Sequence, residues 1–474
     1  MGRKALMAAA AAALTLAGVL AAPVMVGVRT EEKIRQDIDQ LERDKTSTVS
    51  ARLEQYDRGW FASSARVLYS VPLGDQLARL AVDYRVNQLP IPFQRWTRTD
   101  YTVTPVDAAG KPLGDPLPLT AYSIKNFLGG LDTFVDSAEL NWREVDGSAL
   151  TLNGLNAEFH SEDGKPMQYR ASVGGLTLRA PLPEGRQLAM LAGKLTAEGR
   201  SSPAFAASDV WQMEASQRLD SLEIQINGQS MARFGKLSMD AALQDKGALM
   251  DALYHSRIGE GQLGAAGQAV SISDLRLDFS LINLDKQGYA DWQTRTRQLY
   301  SVYGQDQQAL AQGQLDGLMQ SAPRLLAASP AFRLDQLSFT TANGALHASM
   351  ELRFDGSGLQ AASVVSAGLP ALMRDRLAGR AALQLDKRLL TQAAAMAGEG
   401  ASAAAMTQAV ESGMQQAVRQ GWVNDGGDKI STDASFSRDG ASINGHPMPD
   451  MARLLRGTAS TVAAEPALPA ASNN

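Results

Sequence analysis

The stretch LDSLEIQINGQSMARFGKLSMDAAL, Leu219 to Leu243, decides the fold class. Leu222, Ile224 and Ile226 alternate with polar residues up to Asn227-Gly228. Alternation puts every second side chain on one face of a strand, and Asn-Gly supplies the positive φ of a tight hairpin. The same pattern returns in Phe332 to Phe354. There Leu334, Leu337 and Phe339 run into Asn343-Gly344, and Leu346, Ala348, Met350 and Leu352 run out. Leu275, Leu277, Phe279 and Leu281 form another alternating run, as do Ala65, Val67, Tyr69 and Val71. Leu150, Leu152 and Leu155 lead toward Asp163-Gly164, and Asp439-Gly440 and Asn444-Gly445 mark turns near the C-terminus. The pattern predicts an α+β, β-rich protein. Its main element is a large antiparallel meander, elongated or curled, with a few helices packed on it. Leu219–Leu243 and Phe332–Phe354 share architecture but few identities; repeated architecture is the favoured reading and true duplication the alternative.

Two regions break the strand pattern. Trp292 to about Leu326 and Leu389 to about Gln420 read as helices, and Thr30 to about Lys45 reads as a short one carrying Ile34, Ile38 and Leu41 on one face. Before it, Ala5 to Val28 holds no charge, with Arg3 and Lys4 ahead and Arg29, Glu31, Glu32 and Lys33 behind. About 20 apolar residues span the ~30 Å hydrocarbon layer as a helix. We expect residues 1–28 to be an uncleaved membrane anchor, with a cleaved signal as the alternative. Arg3 and Lys4 favour a cytoplasmic N-terminus. The expected localisation is a bacterial inner membrane, single-pass, with the bulk of the chain in the periplasm. Residues 29–456 form the exported body, with two subdomains dividing near 200–260 as an option. Residues 457–474 are small, Pro-containing and nearly uncharged, which predicts disorder.

Composition excludes several functions. The 474 residues contain no cysteine, which removes disulfide scaffolds, thiol nucleophiles and thiolate metal sites. A net charge of −5 argues against a nucleic-acid partner. The G-x-G-x-x-G at Gly259–Gly264 lacks a preceding strand. A helix-like stretch, Lys246 to Tyr254, stands before it, so a flexible linker is expected and not a dinucleotide site. His160, His255, His347 and His446 have no ligand spacing among them, and Asp425-Gly426-Gly427-Asp428 reads as a surface turn. We therefore expect no catalytic residue, no cofactor and no metal. In Tyr56-Asp57-Arg58-Gly59-Trp60-Phe61-Ala62-Ser63, two large aromatics follow a glycine. A buried corner anchored by Trp60 and Phe61 is the favoured reading, and an aromatic contact at a membrane interface the other.

The chain resembles the YdgA family of bacterial membrane-anchored proteins, which carry domain of unknown function 945. Tyr56, Gly59, Trp60, Phe61 and Ser63 match its first signature. Gly421, Trp422, Asp425, Gly426 and Asp428, then Asp439, Gly440, Ile443, Asn444, Gly445, Pro447 and Met448, match its C-terminal one. A His-Gly-Pro-like element of the family is replaced here by Asn87-Gln88-Leu89-Pro90. The resemblance implies an envelope protein at the inner membrane and no reaction.

Three functions follow in order of expectation. The first is a non-catalytic interaction or assembly protein, as a homo-oligomer or with an envelope protein partner. The second is lipid or amphiphile binding along a hydrophobic trough of a curled sheet, where a chain of about 14 carbons gains roughly 10 kcal/mol at ~0.8 per methylene. The third is a carboxylate-based hydrolase of envelope polysaccharide. The lipid bilayer is the partner expected for residues 5–28.

Overall fold

The computed structural model describes Arg35, Ile38 and residues 50–59, 61–73, 76–87, 97–107, 109–126, 129–143, 147–162, 165–201, 213–264, 269–303, 307–359, 369–397 and 401–448. The expected anchor, the tail, Trp60, Leu89-Pro90 and Asp163-Gly164 lie outside the described residues. Arg35 and Ile38 are helical, as the reading of Thr30–Lys45 requires at those two positions.

The described strands join in one antiparallel sheet of 22 strands. β1 (Ser50–Arg58), β2 (Ala62–Leu73), β3 (Gln76–Asn87), β4 (Thr97–Val106), β5 (Thr120–Lys125), β6 (Leu131–Arg143) and β7 (Ala149–Ser161) pair in sequence. β8 (Met167–Val173) and β9 (Gly175–Pro181) lie end to end along β7. β10 (Gln187–Ala192) and β11 (Leu195–Ser201) form the next composite strand, between that pair and β12 (Met213–Ile226). The meander then continues through β13 (Gln229–Lys246), β14 (Leu249–Leu263), β15 (Val270–Asp285), β16 (Ala331–Thr341), β17 (Gly344–Phe354) and β18 (Leu377–Asp386). β18 pairs with β20 (Lys429–Ser437), which also holds β19 (Asn424–Asp425) and β21 (Gly440–Ile443). β22 (His446–Pro447) closes the sheet. Asn227-Gly228 and Asn444-Gly445 turn with positive φ at both residues, as their sequence demands.

The two predicted helical regions that interrupt the strands, Trp292–Leu326 and Leu389–Gln420, are each a pair of helices. α1 (Lys286–Tyr303) and α2 (Gln307–Ala327) connect β15 to β16, and α3 (Leu369–Arg376) precedes β18. α4 (Lys387–Ala397) and α5 (Ala401–Arg419) follow β18. Helices pack chiefly against β15, β17 and β18.

The expected helix at Lys246–Tyr254 is instead the β13–β14 hairpin, turned at Gly247 (φ +77°). Gly259–Gly264 is correspondingly no linker; its first five residues are the end of β14. Its glycines answer to packing: a Cβ on Gly261 would meet the Phe234 ring at 3.0 Å. Similar cross-strand covers occur at Gly199 under Tyr169 and Gly379 under Phe436, where a Cβ would stand 2.7 and 2.5 Å from the ring. An aromatic laid over an opposing glycine replaces the packing that the glycine lacks.

A crease crosses the sheet. The ladder skips Gly154 on β7, Gly174 between β8 and β9, Gly193-Lys194 between β10 and β11, Asp220 on β12, Lys236 on β13, Gly259 on β14 and Asp274 on β15. Gly154, Lys236 and Asp274 have positive φ. Each interruption stands beside the next, so the local bends add along one line.

The main core lies under β1–β8, where Val67, Val82, Val103, Val135 and Ala157 are buried with Ile38 against them. Several of its polar groups pair with one another. Tyr101 Oη donates to Ser123 Oγ at 2.7 Å, Ser123 meets Thr133 at 2.7 Å, and the Tyr69 and Tyr84 hydroxyls meet at 2.5 Å. Burial drives the Tyr101 phenol pKa well above its ordinary value.

Candidate functional site

The register sorts the side chains of β8–β18 into two unlike faces. On one face, cross-strand rows hold residues of alternating strand positions. One row runs Tyr169, Gly199, Ala215, Ala241, Tyr254, Phe279 and continues through Leu334, Met350 and Ala381. Its neighbour toward the helix-bearing end of β15 contains Met213, Leu243, Ala252, Leu281, Phe332 and Leu352. Toward the crease come a row with Ala197, Gln217, Met239, Ser256, Leu277 and Leu337, and one with Leu195, Leu219, Leu237, Ile258 and Leu275. Between β8 and β18 none of these four rows carries an Asp, Glu, Lys or Arg.

These side chains are neither buried nor free. Leu219, Leu237, Ile258, Leu275, Leu277, Phe279 and Leu334 are half-buried, while Met239 and Leu281 are 37% exposed. Tyr254 stacks on Phe279 at 4.7 Å between ring centres, and Phe279 lies 6.2 Å from Phe332. Neighbouring apolar side chains thus shield one another in a shallow open trough. At the β8 end the rows run into buried residues, Leu155, Ala157, Met167 and Val173; at the other end Leu385 and Ile430 are buried, while Ala381, Leu383, Thr432, Ala434 and Phe436 are half-buried.

The opposite face is charged. A cleft of about 920 Å³ spans β6 to β14, lined by Asp132, Glu158, His160, Arg200, Glu214 and Asp240 among others. Its charges largely pair with each other: Arg200–Glu214 at 2.7 Å, Arg170–Glu198 at 3.8 Å and His255–Asp278 at 3.0 Å. His160 Nδ1 lies 2.5 Å from Asp132 and Nε2 lies 3.1 Å from Glu162. The Asp132 hydrogen bond raises the imidazole pKa above its ordinary value, outweighing desolvation. Among the described residues no group of three or more His, Asp or Glu is placed to hold a metal ion.

The signature residues fall at opposite ends of the strand order. Tyr56 packs on the main core from β1, and Ser63 is buried at the start of β2. A Cβ on Gly59 would stand 2.2 Å from the Ala62 carbonyl oxygen, so the β1–β2 turn admits only glycine. Phe61 is 63% exposed, which corrects the buried-corner reading for that aromatic. At the other end, Gly421 (φ +73°) terminates α5: its N–H donates to Val418 O and that of Trp422 to Ala417 O. This 5→2 and 6→1 pair is the glycine-dependent helix stop. Asn444 ties the end to the sheet, donating from Nδ2 to Gly421 O at 3.0 Å and accepting from Asp433 N at 2.8 Å. Gly445 completes that turn, Pro447 faces Ser442, and Trp422 remains 45% exposed. Asp425 accepts from Gly427 N and pairs with Lys387 at 2.5 Å, so it forms a turn.

A two-faced antiparallel meander with structural signatures at its margins defines a class: bacterial proteins of unknown function carrying domain 945. The family model, "Bacterial protein of unknown function (DUF945)", matches residues 3–450, and the chain belongs to this family. No curated protein and no solved structure matches it. The trough residues were not singled out as a site by sequence, because alternation alone does not say what covers a face.

Proposed function

We propose that the chain is a non-catalytic, membrane-held envelope protein that binds an amphiphile along the apolar face of its sheet. The observation that carries this reading is the uncharged, half-buried set of rows across β12–β17. Soluble monomers rarely expose contiguous apolar patches beyond a few hundred Å² without using them. A hydrocarbon chain suits the trough because it asks for no hydrogen bonds and gains ~0.8 kcal/mol per buried methylene. The paired charges of the opposite cleft, Arg200 with Glu214 and Arg170 with Glu198, favour a structural role for those residues. The uncharged run Ala5–Val28 has the length to hold the body at a bilayer, with Arg3 and Lys4 on the cytoplasmic side and the body in the periplasm. Among the described residues no helix is long and apolar enough to cross a membrane.

Native mass spectrometry of the full chain, extracted from membranes in mild detergent, tests the reading. Retained lipid adducts are expected. A spectrum containing only bare protein would sink it.

A further inference from the structure

We propose that the facing sides of α1 and α2 hold the oxyanion head group of the amphiphile, a carboxylate or a phosphate. The inference rests on the amphiphile reading above and gives the bound molecule an orientation. The two helices run antiparallel, and three contacts fix their register. A Cβ on Gly288 would stand 3.1 Å from Arg324 Cβ, and one on Gly313 would stand 2.6 Å from the Leu299 side chain. Between those levels Arg295 donates to Gln320. On α1, Gly288, Trp292, Thr296 and Leu299 recur every three or four residues, so Trp292 and Thr296 lie on the side turned to α2. On α2, Gly313, Gly317, Ser321 and Arg324 follow the same spacing, so Ser321 lies on the side turned to α1, level with Trp292.

This level of the helix pair lacks partners of its own. Trp292 Nε1, Thr296 Oγ1 and Ser321 Oγ are shut off from solvent, and among the described residues none of the three has a hydrogen-bond partner. Ser321 is itself only 4% exposed. Buried polar groups are costly to leave unpaired, and three at one level mark a place where an oxygen is wanted. The indole N–H can only donate, and both hydroxyls can donate as well. They suit a group with several lone pairs and no proton, such as a carboxylate or a phosphate, and not an ammonium group. The flanking charges agree. Arg295 has the neutral Gln320 as its partner, while Arg324 lies 3.8 Å from Asp291, so one guanidinium is left without a carboxylate.

The same helices border the trough. α1 follows directly on β15. Phe354, one step beyond Leu352 on the trough face, is buried against Ala322 and Leu326 of α2. Ser321 therefore adjoins a residue seated on the trough margin. A head group between the helices leaves its chain over the nearest row, with Leu281, Phe332 and Leu352, where Leu281 is 37% exposed. The uncharged rows then serve the chain alone.

The experiment uses the full chain stripped of endogenous lipid in a non-ionic detergent. It is titrated separately with hexadecanoate, hexadecyl phosphate and hexadecyltrimethylammonium, which share a chain and differ in head group. Binding is read by native mass spectrometry, and the Trp292 indole N–H by NMR, its signal identified by its loss in Trp292→Phe. We expect at least one anion to bind tenfold or more tighter than the ammonium compound and to move the indole signal downfield. Whichever anion binds tighter names the head group. Ser321→Ala and Thr296→Val should each reduce that preference at least fivefold. Both should leave the thermal midpoint of the ligand-free protein at or above wild type, because each removes an unpaired buried group. Binding of all three compounds within threefold of one another, with an unmoved indole signal, overturns the head-group site and leaves the amphiphile reading standing. Unchanged preference in both variants overturns it too, and assigns the unpaired groups to buried water. If no compound binds, the amphiphile reading fails together with the site.

Discussion

At the residue scale, His160 reports on the charged face. Its hydrogen bond to Asp132 raises the folded-state pKa above the ordinary imidazole value of 6.5. The stabilisation is therefore complete below the unfolded pKa and is lost as pH rises through the folded one. An NMR titration of the ring should show a midpoint above 6.5, and Asp132→Asn should bring it back toward that value. A wild-type midpoint at or below 6.5 would refute the geometry. Gly421 offers a second test, because its φ of +73° and the nearby His446 ring, 2.9 Å from an added Cβ, both oppose a side chain. Gly421→Ala should cost about 1–2 kcal/mol in denaturant unfolding. Gly413, inside α5 with nothing near its Cβ position, should gain up to ~1 kcal/mol as alanine. The signature glycines were visible in the sequence, but their reasons were not: Gly59 faces a carbonyl and Gly421 ends a helix, both contacts of folded backbone.

At the element scale, the crease has a sequence trace. Apolar positions that otherwise step by two step by three at Leu152/Leu155, Val173/Leu176, Ala192/Leu195, Leu219/Leu222, Phe234/Leu237 and Ile272/Leu275. Each extra residue falls where the ladder is interrupted, and it returns the next apolar side chain to the same face. The hairpins with Asn-Gly turns were legible because local chemistry alone sets their φ. Lys246–Tyr254 misled because its apolar spacing fits a helix as well as a strand. Lys236 holds φ +56° on the crease without being glycine. Lys236→Val should cost more than ~1 kcal/mol, since a β-branched residue resists that region, whereas Lys236→Gly should be within about 1 kcal/mol of wild type. Equal thermal midpoints for the two variants would contradict the strain at this position. Gly379→Leu should be worse than either, because Phe436 and Leu352 already occupy the space.

At the scale of the molecule, the two faces divide the labour. Leu277→Glu places a charge at a half-buried position of the trough and should reduce lipid retention at least tenfold in native mass spectra. Arg257→Gln removes the ion pair with Asp274 on the charged face and should leave retention unchanged. Equal effects from both would mean that the faces do not differ in function. The sequence by itself determined the β-rich class, the tight hairpins and the membership in the family, because alternation and turn chemistry are local properties of the chain. The tertiary structure decided the alignment of seven interruptions into one crease and the gathering of uncharged positions from many strands into one trough. Those depend on register between residues far apart in sequence, where a one-residue slip would send each apolar side chain to the opposite face.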